Sequence, residues 1–501
     1  MLAKQGNLAA DCCDSAVAPL TITHLSYDSR DVMPGTLFFC KGAHFEPEYL
    51  VKAVEAGAVA YVSEQDHAEY LKGAGIQAVP ALLVREIRPA IARLAEFFYR
   101  GLTDQLTLIG FTGTKGKSTA TYLLRAILDQ WLIEQGKPNS AWLSSIENYD
   151  GVSCVRSLLT TQDVLELYGH FKNAVRSNID YLTMEVSSQA LKYGRTQAIP
   201  FEVAVFLNIG EDHISDIEHP SHEDYLASKL EIFKQSRVAI INRDCDEYER
   251  VLKAAGSCEK LLTFGCTDAA DVVVSEIQAT TQGLSFMVCS PEWQSRFTLP
   301  MAGQFNVENA LAAIAAALAL GVPLKHIQQG LASAEVSGRM QLIQGAPDKL
   351  IVVDYAHNKM SFEAVFASVA QEYPNRPIAC VFGATGVKGL ERRLDLPAVA
   401  VQYSDLIYLT EDDPLDEPLA QINEQIARVV REAGKTPRII DDRSEAIERA
   451  IEDSPAGSVI LVLGKGHETV MKRGKEAIPV PSDKERVETI LSKLYQGDTR
   501  Q

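Results

Sequence analysis

Three things are missing from this sequence, and each absence removes a class of function. The first residues, "MLAKQGNLAADCCDSAV", have no apolar core of the kind a secretory leader needs. The nine cysteines are an odd, scattered set; only Cys12 and Cys13 are close, and no C-x-x-C occurs. That excludes a disulfide framework or a zinc ribbon and fits reduced thiols. The longest strongly apolar run, Ala310 to Leu320, falls far short of the roughly 20 residues that cross a bilayer. It follows "GQFNVEN" and reads as a buried, alanine-rich helix. Positive charge is also scarce: 48 Lys and Arg face 66 Asp and Glu, a net charge of -18. General nucleic-acid binding needs a basic surface and is excluded. Any anionic substrate must be held by local cations. The expectation is a cytoplasmic monomer with no membrane and no nucleic-acid partner.

What is present is a globular α/β pattern. The 501 residues are too many for one ordinary core. Short apolar strands alternate with helical stretches, which predicts mostly parallel sheets covered on both faces. Three units are expected: 1–104, 105–337 and 338–501. The second opens at "LTLIGFTG", a strand running into a glycine turn. The third holds "KLIVVDYAH", "PIACVFGATG", "DLIYLTEDDP" and "SVILVLGKGHE", with ligands expected at the carboxyl ends of those strands.

The stretch "LIGFTGTKGKST" carries the first chemistry. It resembles a phosphate-binding loop, but Phe111 stands where the usual first glycine would be. Gly113, Thr114, Lys115 and Gly116 form a tighter loop. Its backbone N–H groups and the following helix end suit an anion. Lys117 supplies a charge for the β- and γ-phosphates, and Ser118 or Thr119 can ligate Mg²⁺.

With "DSRDVMPGTLFF", "LTTQD", "MEVSSQAL", "FLNIGEDH", "YLASK", "GQFNVENALAA", "SGRM", "VVDYAHN" and "LGKGHE" following in order, the chain resembles the Mur ligases, cytoplasmic synthetases of peptidoglycan precursors. Within them it is most similar to the members that add the third peptide residue, of the L-lysine-adding type. The resemblance implies a three-domain architecture, with a central phosphate-loop sheet and a Rossmann-like C-terminal domain. It implies ATP-dependent amide formation through an acyl phosphate, with the first domain holding UDP, the second ATP, and the third bringing the amine.

The same resemblance assigns residues. Lys117, Glu185, His213 and Lys229 are catalytic. Ser118, Glu185, His213 and a CO₂-carbamylated Lys229 hold two Mg²⁺ ions. Asn306 and Asn309, three apart on one helical face, join Arg339 and Asp354 at the nucleotide. Ser29 and Arg30 contact the UDP part of UDP-N-acetylmuramoyl-L-alanyl-D-glutamate. Thr160, Thr161, Ser187, Gln189 and Arg195 hold its dipeptide. A zinc site built from His213, His219 and His222 fits no compact zinc spacing, and His219 and His222 are read as loop or surface residues.

The added amino acid is read from "TEDDPLDEP". Diaminopimelate-adding members carry D-N-P-R at this strand end, and here Leu415 replaces the arginine. Losing a charge-assisted pair costs roughly 1.5–3 kcal/mol. L-Lysine instead ends in an ammonium, for which Asp412, Asp413 and Glu468 offer negative charge. Glu411 and Asp416 are read as facing solvent. Arg393, or Arg392 if the register shifts by one, holds the α-carboxylate. Three other readings stand beside this one. They are ornithine or meso-diaminopimelate as the amine, a folylpolyglutamate-synthase-like ligase, and a silent scaffold with the ligase fold.

Overall fold

The computed structural model describes residues 7–8, 20–42, 44–77, 79–210, 214–215 and 218–495. The chain divides into two compact units, one of Met1–Thr121, Leu132–Ile241 and Cys245–Leu261, the other of Tyr122–Trp131, Asn242–Asp244 and Leu262–Gln501.

The first unit carries two sheets. In the smaller, His24–Ser26, Thr36–Phe39, Ala58–Ser63 and Ala81–Leu83 run parallel in that order. Side chains alternate across a strand. Phe38 therefore packs with Tyr61 and Leu50 on one face, while Leu37 and Phe39 pack with Val62 and Ile91 on the other. In the larger sheet the order is Ser236–Asn242, Phe201–Phe206, Thr107–Thr112, Tyr181–Glu185 and Ala141–Leu143, all parallel. Two antiparallel strands, Glu147–Tyr149 and Cys154–Arg156, complete that edge. The register sets Phe111 beside Glu185 and Thr112 beside Phe206. The segments that follow these three strands therefore emerge together, at the carboxyl edge where α/β sheets bind ligands.

In the second unit, Val272–Thr280, Gly283–Cys289 and Gln294–Leu299 form an antiparallel meander. The helix Phe305–Ala319 follows, and Ala310 to Ala317 are fully enclosed, so the apolar run is a core helix as expected. A six-stranded sheet has the order Gln341–Ile343, Leu350–Asp354, Val459–Leu463, Ile378–Phe382, Leu406–Leu409 and Arg438–Ile439. Only the first pairing is antiparallel. Its central strands are buried on both faces. Val352, Cys380 and Leu461 face Phe366, Leu396 and Ile426; Ile351, Ala379 and Ile460 face Ile447 and Ile490. This is the pattern of a parallel sheet covered by helices on both sides. Among the described residues no helix is long and apolar enough to cross a membrane.

Leu461 is wholly enclosed in this sheet. Leu461→Ala should lower the unfolding free energy by about 2–5 kcal/mol, read from the urea midpoint at unchanged slope.

Candidate active site

The strand Thr107–Thr112 ends at Gly113, whose φ is +153°. A Cβ there would meet Leu207 Cβ at 2.9 Å, so only glycine permits this exit. Gly116, at φ +86°, is the left-handed residue from which the helix Lys117–Glu134 starts. The loop is braced from outside. Thr114 N–H donates to the Asn208 carbonyl (3.1 Å) and Lys115 N–H to Asn208 Oδ1 (2.9 Å). Those two amides are thereby committed to the protein. The anion-binding capacity lies further along, at Gly116 and the first helical turn, with Ser118 and Thr119 both buried there.

Two ammonium groups converge on one carbonyl at this point. Lys117 Nζ donates to Gly113 O at 2.9 Å and to Thr114 O at 3.2 Å. Lys229 Nζ donates to the same Gly113 O at 2.8 Å and lies 4.5 Å above the Tyr225 ring. Lys229 is 1% exposed, so it is an enclosed lysine and not one on the solvated face of its helix. Glu185 is equally enclosed. Its Oε1 accepts from the Ser145 amide (2.7 Å) and hydroxyl (3.1 Å), and Ser145 Oγ is 3.1 Å from Ser118 Oγ. Ser145 therefore links the two residues expected at a metal. His213 lies outside the described residues. His219 is a correction: it is fully buried, not a surface residue, and bonds Asp224 and Ser188.

The neighbouring strand ends gather the dipeptide residues. Thr161 Oγ1 donates to the Glu185 carbonyl at 3.0 Å and accepts from Ser187 N–H at 2.9 Å. Arg195 donates to Thr161 O at 2.9 Å and pairs with Asp163 at 3.1 Å. Asp163 also holds Lys41 at 3.0 Å. A cavity of about 190 Å³ is lined by Lys41, Arg88 and Arg195 against the single acid Asp163. That is a local excess of positive charge in an acidic protein. A larger cavity of about 1170 Å³ in the same unit is lined by Cys40, Gly42, Phe45, His67, Arg88 and Tyr193, among others. Thr160 and Gln189 are half-buried nearby in sequence. Ser29 and Arg30 line neither cavity; Arg30 is exposed and held by Asp28.

In the second unit, Asn309 Nδ2 donates to Asn306 Oδ1 at 3.1 Å, and Asn306 Nδ2 to Ala302 O at 2.8 Å. Asp354 uses one oxygen for the Met340 amide and the other for the Ala356 amide, each at 2.7 Å. Burial pushes its carboxyl up, and the Arg339 charge opposes that. Arg339 lies 5.2 Å over the Tyr355 ring.

The acidic strand end is not empty of cations. Lys465 Nζ is 2.8 Å from Asp413 Oδ1 and 2.6 Å from Glu468 Oε2. Burial works against the Lys465 ammonium, but the carboxylates around it raise its pKa above the ordinary value. Asp413 also accepts the Lys472 amide at 2.9 Å. Asp412 differs: it is 6% exposed, and its carboxylate accepts no hydrogen bond among the described residues. Burial pushes its carboxyl up to about 6, against the pull of Lys465 and Arg443. Glu411 corrects the expectation of a solvent-facing acid: it is buried and paired with Arg473. Asp416 is exposed, as expected. Arg393 is 3% exposed and clasps Glu417 with both terminal nitrogens, at 2.7 and 2.6 Å. It also bonds Gln425 and the Thr385 carbonyl. Arg392 is half-buried; burial, with the Arg392 charge adding to it, holds the His357 imidazole below its usual value.

Two family models match this chain: the Mur ligase middle domain over residues 111–317, and the Mur ligase, glutamate ligase domain over residues 338–466. The UDP-N-acetylmuramoyl-L-alanyl-D-glutamate–L-lysine ligase of Enterococcus faecalis is 36% identical over 480 residues, 94% of this chain and 92% of its own. The chain belongs to the Mur ligase family. The L-lysine ligase of the same name from Streptococcus thermophilus is 38% identical over 450 residues, covering 89% of this chain and 88% of its own. A 2,6-diaminopimelate ligase from Caldanaerobacter subterraneus is 35% identical over 476 residues, with 94% and 95% covered. A solved structure of such a diaminopimelate ligase superposes with a TM-score of 0.69 at 25% identity, covering 94% of this chain and 95% of that one. Folylpolyglutamate synthase from Mycobacterium tuberculosis shares the fold alone, with a TM-score of 0.57 at 17% identity over 75% of this chain.

As a Mur ligase, the chain is an ATP-dependent amide-forming enzyme with the three-domain α/β architecture of its family. Its oxygen donors Ser118 and Glu185 fit Mg²⁺, which prefers hard oxygen ligands. Among the described residues no three His, Cys, Asp or Glu side chains gather as a metal cluster. Sequence reasoning missed Asn208, Ser145, Asp163 and Lys465. Asn208 lies inside "FLNIG" and Lys465 inside "LGKGHE", so both were in view without a role. Nothing in "WLSSIENY" separates Ser145 from Ser144.

Ser145 supplies two of the bonds that orient Glu185. Ser145→Ala should weaken Mg²⁺-dependent nucleotide binding about 10–100-fold, measured by titrating Mg²⁺ against ATP affinity in a calorimeter.

Proposed function

We propose that this Mur ligase joins L-lysine to the D-glutamate of UDP-N-acetylmuramoyl-L-alanyl-D-glutamate in the cytoplasm, using ATP. The observation that carries the choice of lysine is Asp412. Lys465 bridges Asp413 and Glu468, whereas the buried Asp412 carboxylate has no hydrogen-bond donor among the described residues. A substrate ammonium supplies that donor. The neighbouring Leu415 offers nothing to the second carboxylate of diaminopimelate. Arg392 takes the α-carboxylate, because the Arg393 guanidinium is spent on Glu417, Gln425 and Thr385. Lys41, Arg88 and Arg195 hold the anionic groups of the UDP-dipeptide, and the larger cavity beside Phe45 takes its nucleotide. Ser29 and Arg30 remain outer contacts to that group.

The reaction has two steps. The D-glutamate carboxylate attacks the γ-phosphorus of ATP, ADP leaves, and an acyl phosphate forms. The α-amine of lysine then attacks the acyl carbon, the C–O bond breaks, inorganic phosphate leaves, and the nitrogen loses a proton. Lys117 holds the β- and γ-phosphates, which removes the repulsion between a carboxylate and a triphosphate. Ser118, Glu185, His213 and a carbamylated Lys229 would hold two Mg²⁺ ions, which would supply further neutralisation of the phosphates. Carbamylation joins CO₂ to the neutral ε-amine with loss of one proton and turns Lys229 into an oxygen ligand. Asn306, Asn309, Arg339 and Asp354 shape the nucleoside end. The protein works as a monomer.

Phosphate release should require both UDP-dipeptide and amino acid, with lysine turned over faster than ornithine or meso-diaminopimelate. Faster diaminopimelate turnover would overturn the reading of Asp412 and Leu415. The sign of the pH effect follows from Asp412. Its raised carboxyl is ionised above about 6 and neutral below, so the KM for lysine should climb as pH falls through about 6. In Asp412→Asn that KM should be high and flat across the same range.

A further inference from the structure

Outside the residues assigned above, a buried histidine and serine are bonded to a half-exposed Asp224 and Lys192. His219 Nε2 is 3.0 Å from Ser188 Oγ, and its Nδ1 is 2.6 Å from Asp224 Oδ2. The same Asp224 oxygen is 2.6 Å from Lys192 Nζ, which also donates to the Glu218 carbonyl at 3.1 Å. A carboxylate only accepts, so Nδ1 carries a proton and donates to Asp224. Serine, histidine and aspartate in this order match a hydrolytic triad. That chemistry needs an open hydroxyl and room for an acyl group. Here His219 has no exposure and Ser188 is 6% exposed, so no acyl substrate reaches the serine.

The cluster acts mechanically instead. It ties the helix Ser188–Lys192 to the helix His222–Leu230, which carries Tyr225 and Lys229. The His219 ring packs 5.0 Å from the Tyr225 ring. Tyr225 is buried, and its hydroxyl is 3.1 Å from Thr114 Oγ1 in the phosphate loop. Thr114 Oγ1 also accepts the Gly210 amide at 3.1 Å. The Lys229 ammonium also lies against the Tyr225 ring, 4.5 Å from its centroid. One aromatic ring thus touches the buried histidine, the loop and the lysine.

We propose that His219 and Tyr225 are positioning residues, a buried strut that holds the phosphate loop and Lys229 in mutual register. The proposal rests on the ligase reading for its kinetic test. Tyr225→Phe removes only the hydroxyl, and His219→Gln removes the ring that braces it. Each should lower kcat about tenfold while the KM for UDP-dipeptide stays within about twofold, and Tyr225→Phe should keep the parent Tm. If the strut is one device, the double variant should be little worse than His219→Gln alone. Multiplying effects, or a kcat unchanged in Tyr225→Phe, would overturn it. Hydrogen exchange of the amides at 113–118 gives an answer independent of turnover. Faster exchange in Tyr225→Phe supports the strut and unchanged exchange refutes it, even if the parent forms no peptide bond and the ligase reading fails.

Discussion

The carbonyl of Gly113 receives the ammonium groups of both Lys117 and Lys229, and the phosphate loop is arranged around that meeting. At Gly113 φ is +153° and a side chain would strike Leu207, so glycine is required at the strand exit. The strand before it must be buried to end in a fixed place, and Leu108, Ile109 and Phe111 bury it. The parallel register then delivers Glu185 and Asn208 to the same edge. Lys117, held at a strand end next to a helix start, is suited to a triphosphate.

Charge is distributed by local design rather than by the overall balance. A chain of net charge -18 still gathers Lys41, Arg88 and Arg195 around one cavity. The second unit does the opposite and collects Asp412, Asp413 and Glu468 around the buried Lys465. Arg443 keeps that acidic end in shape. It is wholly buried, pairs with Asp483 at 2.7 Å and donates to the carbonyls of Glu411 and Leu463. Asp483 in turn accepts the Gly466 amide at 2.9 Å. One ion pair thereby joins two strand ends and the loop bearing Lys465. Such a buried pair is costly to break, because either partner left alone is an uncompensated charge.

Much of this was legible in the chain itself, for identifiable reasons. Buried parallel strands announce themselves as unbroken apolar runs, so "KLIVVD" and "SVILVL" were readable as strands. Gly113, Gly116 and Lys117 were readable because a phosphate loop needs residues of fixed type at fixed spacing. Lys229 and Glu185 were readable only through resemblance, since an enclosed lysine and a solvated one look the same in sequence. The pairing of Arg393 with Glu417 was not readable, because those residues are brought together from separate elements. His219 went astray for the same reason: its partners Ser188 and Asp224 lie on two different helices.

Local pattern and φ are enough to specify the parallel α/β layering, the glycine exits and the residue types of the phosphate loop. Which carboxylate in the acidic end lacks a donor, which arginine is already occupied and which serine steadies Glu185 emerge on folding. Those questions concern partners distant along the chain. Their outcome depends on which donors the folded chain brings within about 3 Å of each acceptor.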